Sequence, residues 1–177
     1  MKKFNFSRLV VIAFVITIFS FIGCKPDSEL PAGSTPITPV EISADDAIIG
    51  SWADNYSGWN TYGDYDCQIA INFIETASYG KHESKIYVVR TSSDSGYIYY
   101  QFSEDVTGYN GPNPYTVNAK GKWCAIAFKN LTATTVLMCD VYDPDYNFPA
   151  SLEECYKKYT IANGYFNSLN TMDWTKL

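Results

Sequence analysis

The segment from residue 122 to residue 140 reads KWCAIAFKNLTATTVLMCD and decides the fold class. It contains two apolar runs, Lys122–Lys129 and Thr134–Asp140, that favour extended backbone. A short stretch, Asn130-Leu131-Thr132-Ala133, joins them, so the segment predicts a β-hairpin. An antiparallel β-domain is therefore expected.

Further strands are predicted on both sides of this hairpin. Between residues 65 and 73 apolar side chains alternate with polar ones, which is typical of a strand with one buried face. Other segments are rich in β-branched and aromatic residues. The remaining predicted elements are a first strand near Ile48, strands at Lys85–Thr91 and Gly96–Ser103 joined by a turn at Ser92–Ser95, a polar loop at Glu104–Asn118, and a last strand at Thr171–Leu177.

In residues Pro149–Tyr159 the spacing of apolar side chains is that of a helix. Their apolar residues recur at spacings of three and four, and Ser151 and Glu154 have the spacing of a capping box. Glu153 and Lys157 have the spacing of a favourable ion pair, as do Glu154 and Lys158. The sequence therefore predicts a mainly β fold, a compact antiparallel barrel or sandwich of roughly six to eight strands with one C-terminal amphipathic helix.

The N-terminus has the pattern of an export signal. A basic start is followed by an apolar run, Leu9–Ile22, which is shorter than the roughly 20 residues that a membrane-spanning helix needs. The run ends in Phe21-Ile22-Gly23-Cys24, which resembles a bacterial lipobox. The resemblance implies that residues 1–23 are removed as a signal peptide and that Cys24 carries the lipid of an envelope lipoprotein.

A tether is predicted between the lipid and the domain. Residues 24–45 are rich in proline and polar side chains, which favour an extended spacer, and residues 46–177 are long enough for a single β-rich domain. Lys25 follows the cysteine where an aspartate would indicate inner-membrane retention, so the resemblance implies delivery to the outer membrane, facing either the periplasm or the cell surface.

The net charge of the chain excludes some classes of binding partner. The net charge is −6, and removing residues 1–23 with their three basic groups gives −9. So acidic a protein is repelled by nucleic acid and by anionic membrane surfaces. Membrane attachment is therefore expected through the N-terminal lipid, and nucleic acid is not expected as a partner.

Gly50-Ser51-Trp52 resembles the Gly-x-Trp that opens the first strand of lipocalins, a resemblance that implies a ligand pocket. Aromatic residues are abundant and favour contact surfaces. The ligand-binding candidates are Trp52, Tyr56, Trp59, Tyr62, Tyr97 and Tyr99.

These features leave two hypotheses for the function. In the first, the domain has a pocket that binds a small apolar or amphipathic molecule or a glycan. In the second, the domain is a surface module that contacts another protein. An unfilled interior favours the first, and a filled core with exposed Trp59, Tyr62 and Tyr115 favours the second.

The cysteines suggest disulfides in an oxidising compartment. Folding the hairpin about residues 131/132 places Cys124 opposite Cys139, within disulfide range, and leaves Cys67 to pair with Cys155. Four buried thiols are the alternative.

No catalytic residue, cofactor or metal site is predicted. His82 is the only histidine, lies in a polar segment expected to be an exposed turn, and belongs to no recognisable catalytic motif. Asp143, Asp145, Asn147 and Glu154 have the spacing of calcium-loop ligands. However, Phe148 stands where the sharp turn of such a loop needs glycine, and the capping box already accounts for Glu154, so an ordinary acidic loop is expected.

Overall fold

The computed structural model describes residues 38–54, 67–110, 113–169 and 173–177. Within these ranges the chain is mainly β, with twelve strands and one helix. The elements are β1 (Val40–Glu41), β2 (Gly50–Asp54), β3 (Cys67–Ile69), β4 (Phe73–Thr76), β5 (Gly80–Glu83), β6 (Tyr87–Ser92), β7 (Ser95–Gln101), β8 (Val106–Asn110), β9 (Asn113–Val117), β10 (Trp123–Lys129), β11 (Thr135–Asp140), α1 (Leu152–Lys158) and β12 (Asp173–Lys176).

One large antiparallel sheet holds ten of these strands in the order β1-β6-β7-β10-β11-β12-β2-β3-β4-β5, and β8 and β9 form a separate two-stranded ribbon. The mainly β class and the single helix are confirmed. The predicted count of six to eight strands is wrong, and so is a closed barrel, because β1 and β5 end the order without pairing to each other.

Local turns explain the extra strands. The run predicted as one strand from 65 to 73 is broken where the Ala70 amide donates to the Phe73 carbonyl at 3.0 Å, and β3 and β4 result. The segment Glu104–Asn118, predicted as a loop, contains β8 and β9. The sheet also begins earlier than predicted, because β1 pairs with β6 inside the segment 24–45 that was expected to be a tether.

One face of the sheet forms the main core. Directly opposed residues share a face, and pairs such as Ile98 with Ile126 and Phe128 with Met138 extend the same apolar surface from strand to strand. We call this surface the core face; it carries Val88, Ile98, Tyr100, Cys124, Ile126, Phe128, Val136, Met138, Trp174, Trp52, Cys67, Ile69, Ile74 and His82. His82 of β5 contacts Tyr100 of β7, although these strands lie far apart in the sheet order. The sheet therefore rolls so that its core face closes on itself.

The opposite face of β7 and β10 is covered by the C-terminal helix. The Cys155 thiol of α1 donates to the Cys124 carbonyl oxygen at 3.6 Å, and the Tyr97 hydroxyl accepts from the Ile161 amide at 3.1 Å. We call this side the helix face. Because both faces of β7 and β10 are covered, most residues in these two strands are buried and none is fully exposed.

The helix begins as the sequence predicts. The Ser151 hydroxyl caps it by accepting from the Glu154 amide at 3.1 Å, and Lys157 pairs with Glu153 at 2.6 Å. The expected pair between Glu154 and Lys158 does not form, because Glu154 accepts from the Ala150 amide and Lys158 is drawn to a buried aspartate.

The disulfide prediction is wrong because the hairpin register differs. Cys139 lies opposite Ala127 and not opposite Cys124. The Thr132 hydroxyl accepts from the amides of Thr134 and Thr135, which lengthens the turn and shifts β11 along β10.

The shift places Cys124 on the core face and Cys139 on the helix face. Cys67 lies on the core face, whereas Cys155 covers the helix face, so this second pair is also separated by the sheet. All four thiols are buried, and in the described part of the chain no disulfide joins any of them.

Residues 1–37 lie outside the described ranges, so the signal peptide 1–23 and the lipidation of Cys24 stay predictions. Within the residues that the structure covers, no helix has the length and apolar character that a membrane crossing requires.

Candidate functional site

The aromatic ligand-binding candidates do not form an open pocket lining in the described residues. Trp52 is completely buried, and its indole nitrogen donates to the Ile48 carbonyl at 2.9 Å. Tyr99 is buried beneath α1, and half-buried Tyr97 packs between Tyr99 and Phe166. These three rings act as core residues. The other candidates, Tyr56, Trp59 and Tyr62, lie outside the described residues.

A partly buried carboxyl group lies at the edge of the core, at the end of β11. Asp140 shares the core face with Ile126, and the Ser78 and Thr76 hydroxyls hydrogen-bond to it from the β4–β5 turn. Burial raises the pKa of Asp140 to about 6 in spite of these bonds, which favour the charged form. Tyr79, from the same turn, donates its hydroxyl to the Val141 carbonyl at 3.0 Å. The turn is thus fastened to the end of β11.

His82 is buried, contrary to the exposed turn predicted for it, with 1% of its surface exposed. It lies on β5 opposite Ile74 and contacts the Phe102 ring at 4.9 Å between centroids. Its Nε2 is 2.9 Å from the Tyr79 carbonyl oxygen, so Nε2 carries the proton and Nδ1 faces the Ser103 hydroxyl at 3.4 Å. Burial lowers the pKa of His82 more than Tyr79 and Glu104 raise it, which keeps the ring neutral.

This serine–histidine contact is the nearest approach to a catalytic arrangement in the described residues. Its distance of 3.4 Å lies at the outer limit of a hydrogen bond, and the His82 ring packs against Tyr100 and Phe102 as a core side chain. Sequence reasoning missed Ser103, because His82 lies on β5 and Ser103 follows β7, and the two residues meet only when the sheet rolls.

The segment with calcium-loop spacing is organised by a lysine. Buried Asp143 accepts from the Lys158 ammonium at 2.8 Å and from the Tyr159 hydroxyl at 3.0 Å. Lys158 also donates to the Asn147 carbonyl at 2.6 Å, so its ammonium lies between two oxygens of the kind that would bind a cation. Burial raises the pKa of Asp143, but the bonds from Lys158 and Tyr159 outweigh it and leave the pKa below its usual value. No group of metal-binding side chains is found in the described ranges.

This buried carboxylate fixes a surface loop that presents tyrosines. Asp143 lies between Tyr142, which is 65% exposed, and Tyr146, whose amide donates to the Asp143 carbonyl at 3.0 Å. Tyr142 in turn donates its amide to the Tyr165 carbonyl at 2.9 Å. The Lys158 ammonium lies 5.6 Å from the centre of the Tyr165 ring. The C-terminal segment therefore holds the loop at Tyr142, through Tyr165, and at Asp143, through Lys158.

The β8–β9 ribbon adds a further ring to this loop. Tyr115 of β9 is 44% exposed and packs edge-to-face on Tyr146 with 5.9 Å between ring centroids. Its other neighbour is Gly108, directly opposite on β8, where an added Cβ would lie 2.7 Å from the Tyr115 ring. At the base of the ribbon, Asp105 accepts from the amides of Ala119 and Lys120 at 3.0 Å each.

We call Tyr115, Tyr142, Tyr146 and Tyr165 the tyrosine surface. Tyrosine contributes large contact area at low entropic cost and keeps a hydroxyl for hydrogen bonding, so a partly exposed group of rings suits recognition. Of these four, sequence reasoning identified only Tyr115. The signal that could have found Tyr142 and Tyr146 is the run Tyr142-Asp143-Pro144-Asp145-Tyr146, in which aromatic rings flank turn residues. Comparisons with protein-family models, with curated proteins and with solved structures found no match to this chain.

Proposed function

We propose that this chain is a lipid-anchored protein of the bacterial envelope whose domain is a non-catalytic surface module that binds another protein through the tyrosine surface. The observation that carries the proposal is the contrast between interior and exterior. The core face is occupied by large side chains, including Trp52, Tyr100 and Phe128, that are almost fully buried against one another. Tyr115 and Tyr142 remain exposed on the outside.

The filled core argues against the alternative of a small ligand inside the sheet. A ligand there would have to displace packed aromatic side chains, each of which contributes several kcal/mol to stability when buried, on the order of 3–5 kcal/mol on truncation. Tyr115 and Tyr142 of the tyrosine surface, by contrast, are accessible as they stand. Protein interfaces are enriched in tyrosine, and the fixed loop around Asp143 limits the entropy lost on binding.

The decisive experiment places a photo-crosslinking amino acid at Tyr142 or Tyr115 of the full chain, expressed in its native cells. A matched control carries the same group at Ile71, which is 49% exposed but lies on the turn between β3 and β4. We expect discrete protein adducts at Tyr142 and Tyr115 and none at Ile71. Adducts at all three positions alike, or at none, would contradict the proposal.

A ligand screen tests the pocket hypothesis directly. Fatty acids, haem and glycans are added to the purified chain and the unfolding temperature is followed. A ligand at a hundredfold excess over its Kd adds about 2.7 kcal/mol. A saturable shift with one class, lost on truncating Tyr100 of the core face, would establish the pocket in place of the surface module.

The anchor and the absence of catalysis have separate tests. Replacing Cys24 by serine is expected to abolish incorporation of labelled palmitate and to release the protein from the membrane fraction. A fluorophosphonate probe is expected to leave Ser103 unmodified. Labelling at Ser103 that is lost in His82→Ala would instead indicate a serine hydrolase.

A further inference from the structure

The backbone of the β8–β9 ribbon presents hydrogen-bonding groups on its outer edges. Two residues separate Asn110 from its partner Asn113, so this closing pair exchanges hydrogen bonds within the ribbon. Along an antiparallel ladder, pairs of residues that exchange hydrogen bonds alternate with pairs that do not. The amide and carbonyl groups of Thr107 and Tyr109 therefore point away from β9, and those of Thr116 and Pro114 point away from β8.

The two edges of the ribbon are not equivalent. Pro114 has no amide hydrogen, so the outer edge of β9 lacks one of its donors. Pro114 also lies in a pair that exchanges no hydrogen bonds within the ribbon, which agrees with this alternation. The outer edge of β8 keeps both donors and both acceptors, and no hydrogen bond from another described residue reaches them.

The other open edges of the fold carry features that discourage pairing. The edge strand β1 has two residues, and Glu41 within it forms a salt bridge with Lys85. The edge strand β5 carries the charged side chains Lys81 and Glu83. Short strands, edge charges and edge prolines all protect sheets from unwanted pairing. Of the open strands in the described residues, β8 alone has none of these, because Val106–Asn110 is free of proline and charge.

We propose that the outer edge of β8 is the place where a partner protein adds an extended segment as an antiparallel strand. This inference rests on the proposed function and names the chemistry of its partner. Alternating amide and carbonyl groups are complemented by extended backbone, and Thr107 and Tyr109 together offer up to four hydrogen bonds. Tyr115, on the neighbouring strand, supplies an exposed ring beside the added strand.

The net charge of the chain indicates which kind of segment binds at the β8 edge. The chain has a net charge of −6, or −9 without residues 1–23, so two copies repel each other. The β8 edge itself is uncharged. A neutral or basic segment of a different protein therefore fits this edge better than a second copy of the same chain.

The test compares two threonines that lie directly opposite each other. Thr107→Pro removes an outward donor from β8, and Thr116→Pro removes one from the edge of β9 that Pro114 already blunts. Neither change removes a hydrogen bond between β8 and β9. The probe is a phage library of random linear peptides, selected on the full chain in detergent. We expect neutral or basic β-forming peptides that bind Thr107→Pro at least tenfold more weakly and Thr116→Pro with unchanged affinity.

A second pair of variants controls for the case in which a proline substitution prevents the chain from folding. Thr107→Lys and Thr116→Lys keep both backbone donors but add an edge charge, and the first should again weaken binding selectively. Selected peptides that bind all variants equally, or a selection that yields no peptide, would overturn strand addition. A wild-type dimer that Thr107→Pro dissociates would also overturn it, because the occupant would be a second copy. Crosslinking at Tyr142 and Tyr115 in any of these cases would leave the proposed surface module standing.

Discussion

Replacing Asp140 by asparagine is expected to stabilise the domain at neutral pH. Burial raises the pKa of Asp140 from 3.8 to about 6. The folded state thus binds this proton more tightly than the unfolded state. The stability that the protonated group contributes is fully present below pH 3.8, falls as the pH rises to about 6, and stays low above that value. Asparagine cannot ionise and avoids this loss.

The size of the effect follows from the two pKa values. A tenfold change in proton affinity corresponds to about 1.4 kcal/mol, so the rise from 3.8 to about 6 costs the wild-type domain at most about 3 kcal/mol above pH 6. Roughly half of this cost develops between about pH 5 and about pH 8. Asparagine can still accept from Ser78 and Thr76 through its amide oxygen. We therefore expect Asp140→Asn to be more stable than the wild type by about 1–3 kcal/mol at pH ~8.

The assay is urea unfolding of the full chain at several pH values from about 5 to about 8, with the free energy obtained by linear extrapolation. The wild type should lose stability over this range, and the difference between Asp140→Asn and the wild type should grow with pH. A difference that is independent of pH, or an asparagine variant that is less stable at pH ~8, would refute the raised pKa of this partly buried carboxyl.

Asp143 provides a matched control on the same segment. Its pKa is lowered, because the bonds from Lys158 and Tyr159 outweigh burial. Its contribution is therefore present above pH 3.8 and is lost as the pH falls through its folded value. Asp143→Asn should destabilise the domain at neutral pH by about 2 kcal/mol, because Lys158 loses its charged partner. The two aspartates thus predict opposite signs for the same chemical change.

Other substitutions test the packing. Trp52→Ala should cost about 3–5 kcal/mol, because it empties a fully buried site and removes the bond to Ile48, whereas Ile71→Ala on the exposed turn should change the free energy of unfolding by less than about 0.5 kcal/mol. Burial raises the pKa of the Cys124 and Cys155 thiols, so a thiol reagent should modify them only after denaturant is added. Because no disulfide joins the described cysteines, reduction should leave the unfolding temperature unchanged. A large drop in that temperature on reduction would contradict the absence of disulfides. Gly96→Ala should prevent folding or cost several kcal/mol, because its Cβ would collide with the Val89 carbonyl oxygen, and a variant with wild-type stability would refute that close approach.

The sequence was informative where local patterns decide structure. The hairpin strands β10 and β11 and the Ser151 cap of α1 follow from apolar runs and cap spacing, and both were predicted close to their observed positions. The register of the same hairpin was missed, because the Thr132 hydroxyl closes a longer turn than a symmetrical fold of the chain implies. A displacement of this kind moves a cysteine from one face of the sheet to the other.

The candidate site depended on contacts between distant residues, and these leave little trace in a sequence. The charged neighbours Lys81 and Glu83 predict an exposed turn for His82, yet charged residues on both sides of a buried one are also typical of an edge strand with one inward side chain. The glycine and proline residues of Glu104–Asn118 predict a loop, whereas the segment contains the paired strands β8 and β9. The role of Asp143 could not be predicted, because Lys158 reaches it from the far end of the helix.

The ammonium of Lys158 gives the tyrosine loop a counter-ion that belongs to the same polypeptide. A loop with oxygen atoms at this spacing would ordinarily depend on a dissolved divalent ion, and its order would then vary with the ionic composition of the surroundings. Because Lys158 is covalently attached, dilution and chelators cannot remove it. The arrangement of Tyr142 and Tyr146 is therefore expected not to depend on calcium supply, which would suit the envelope location proposed above.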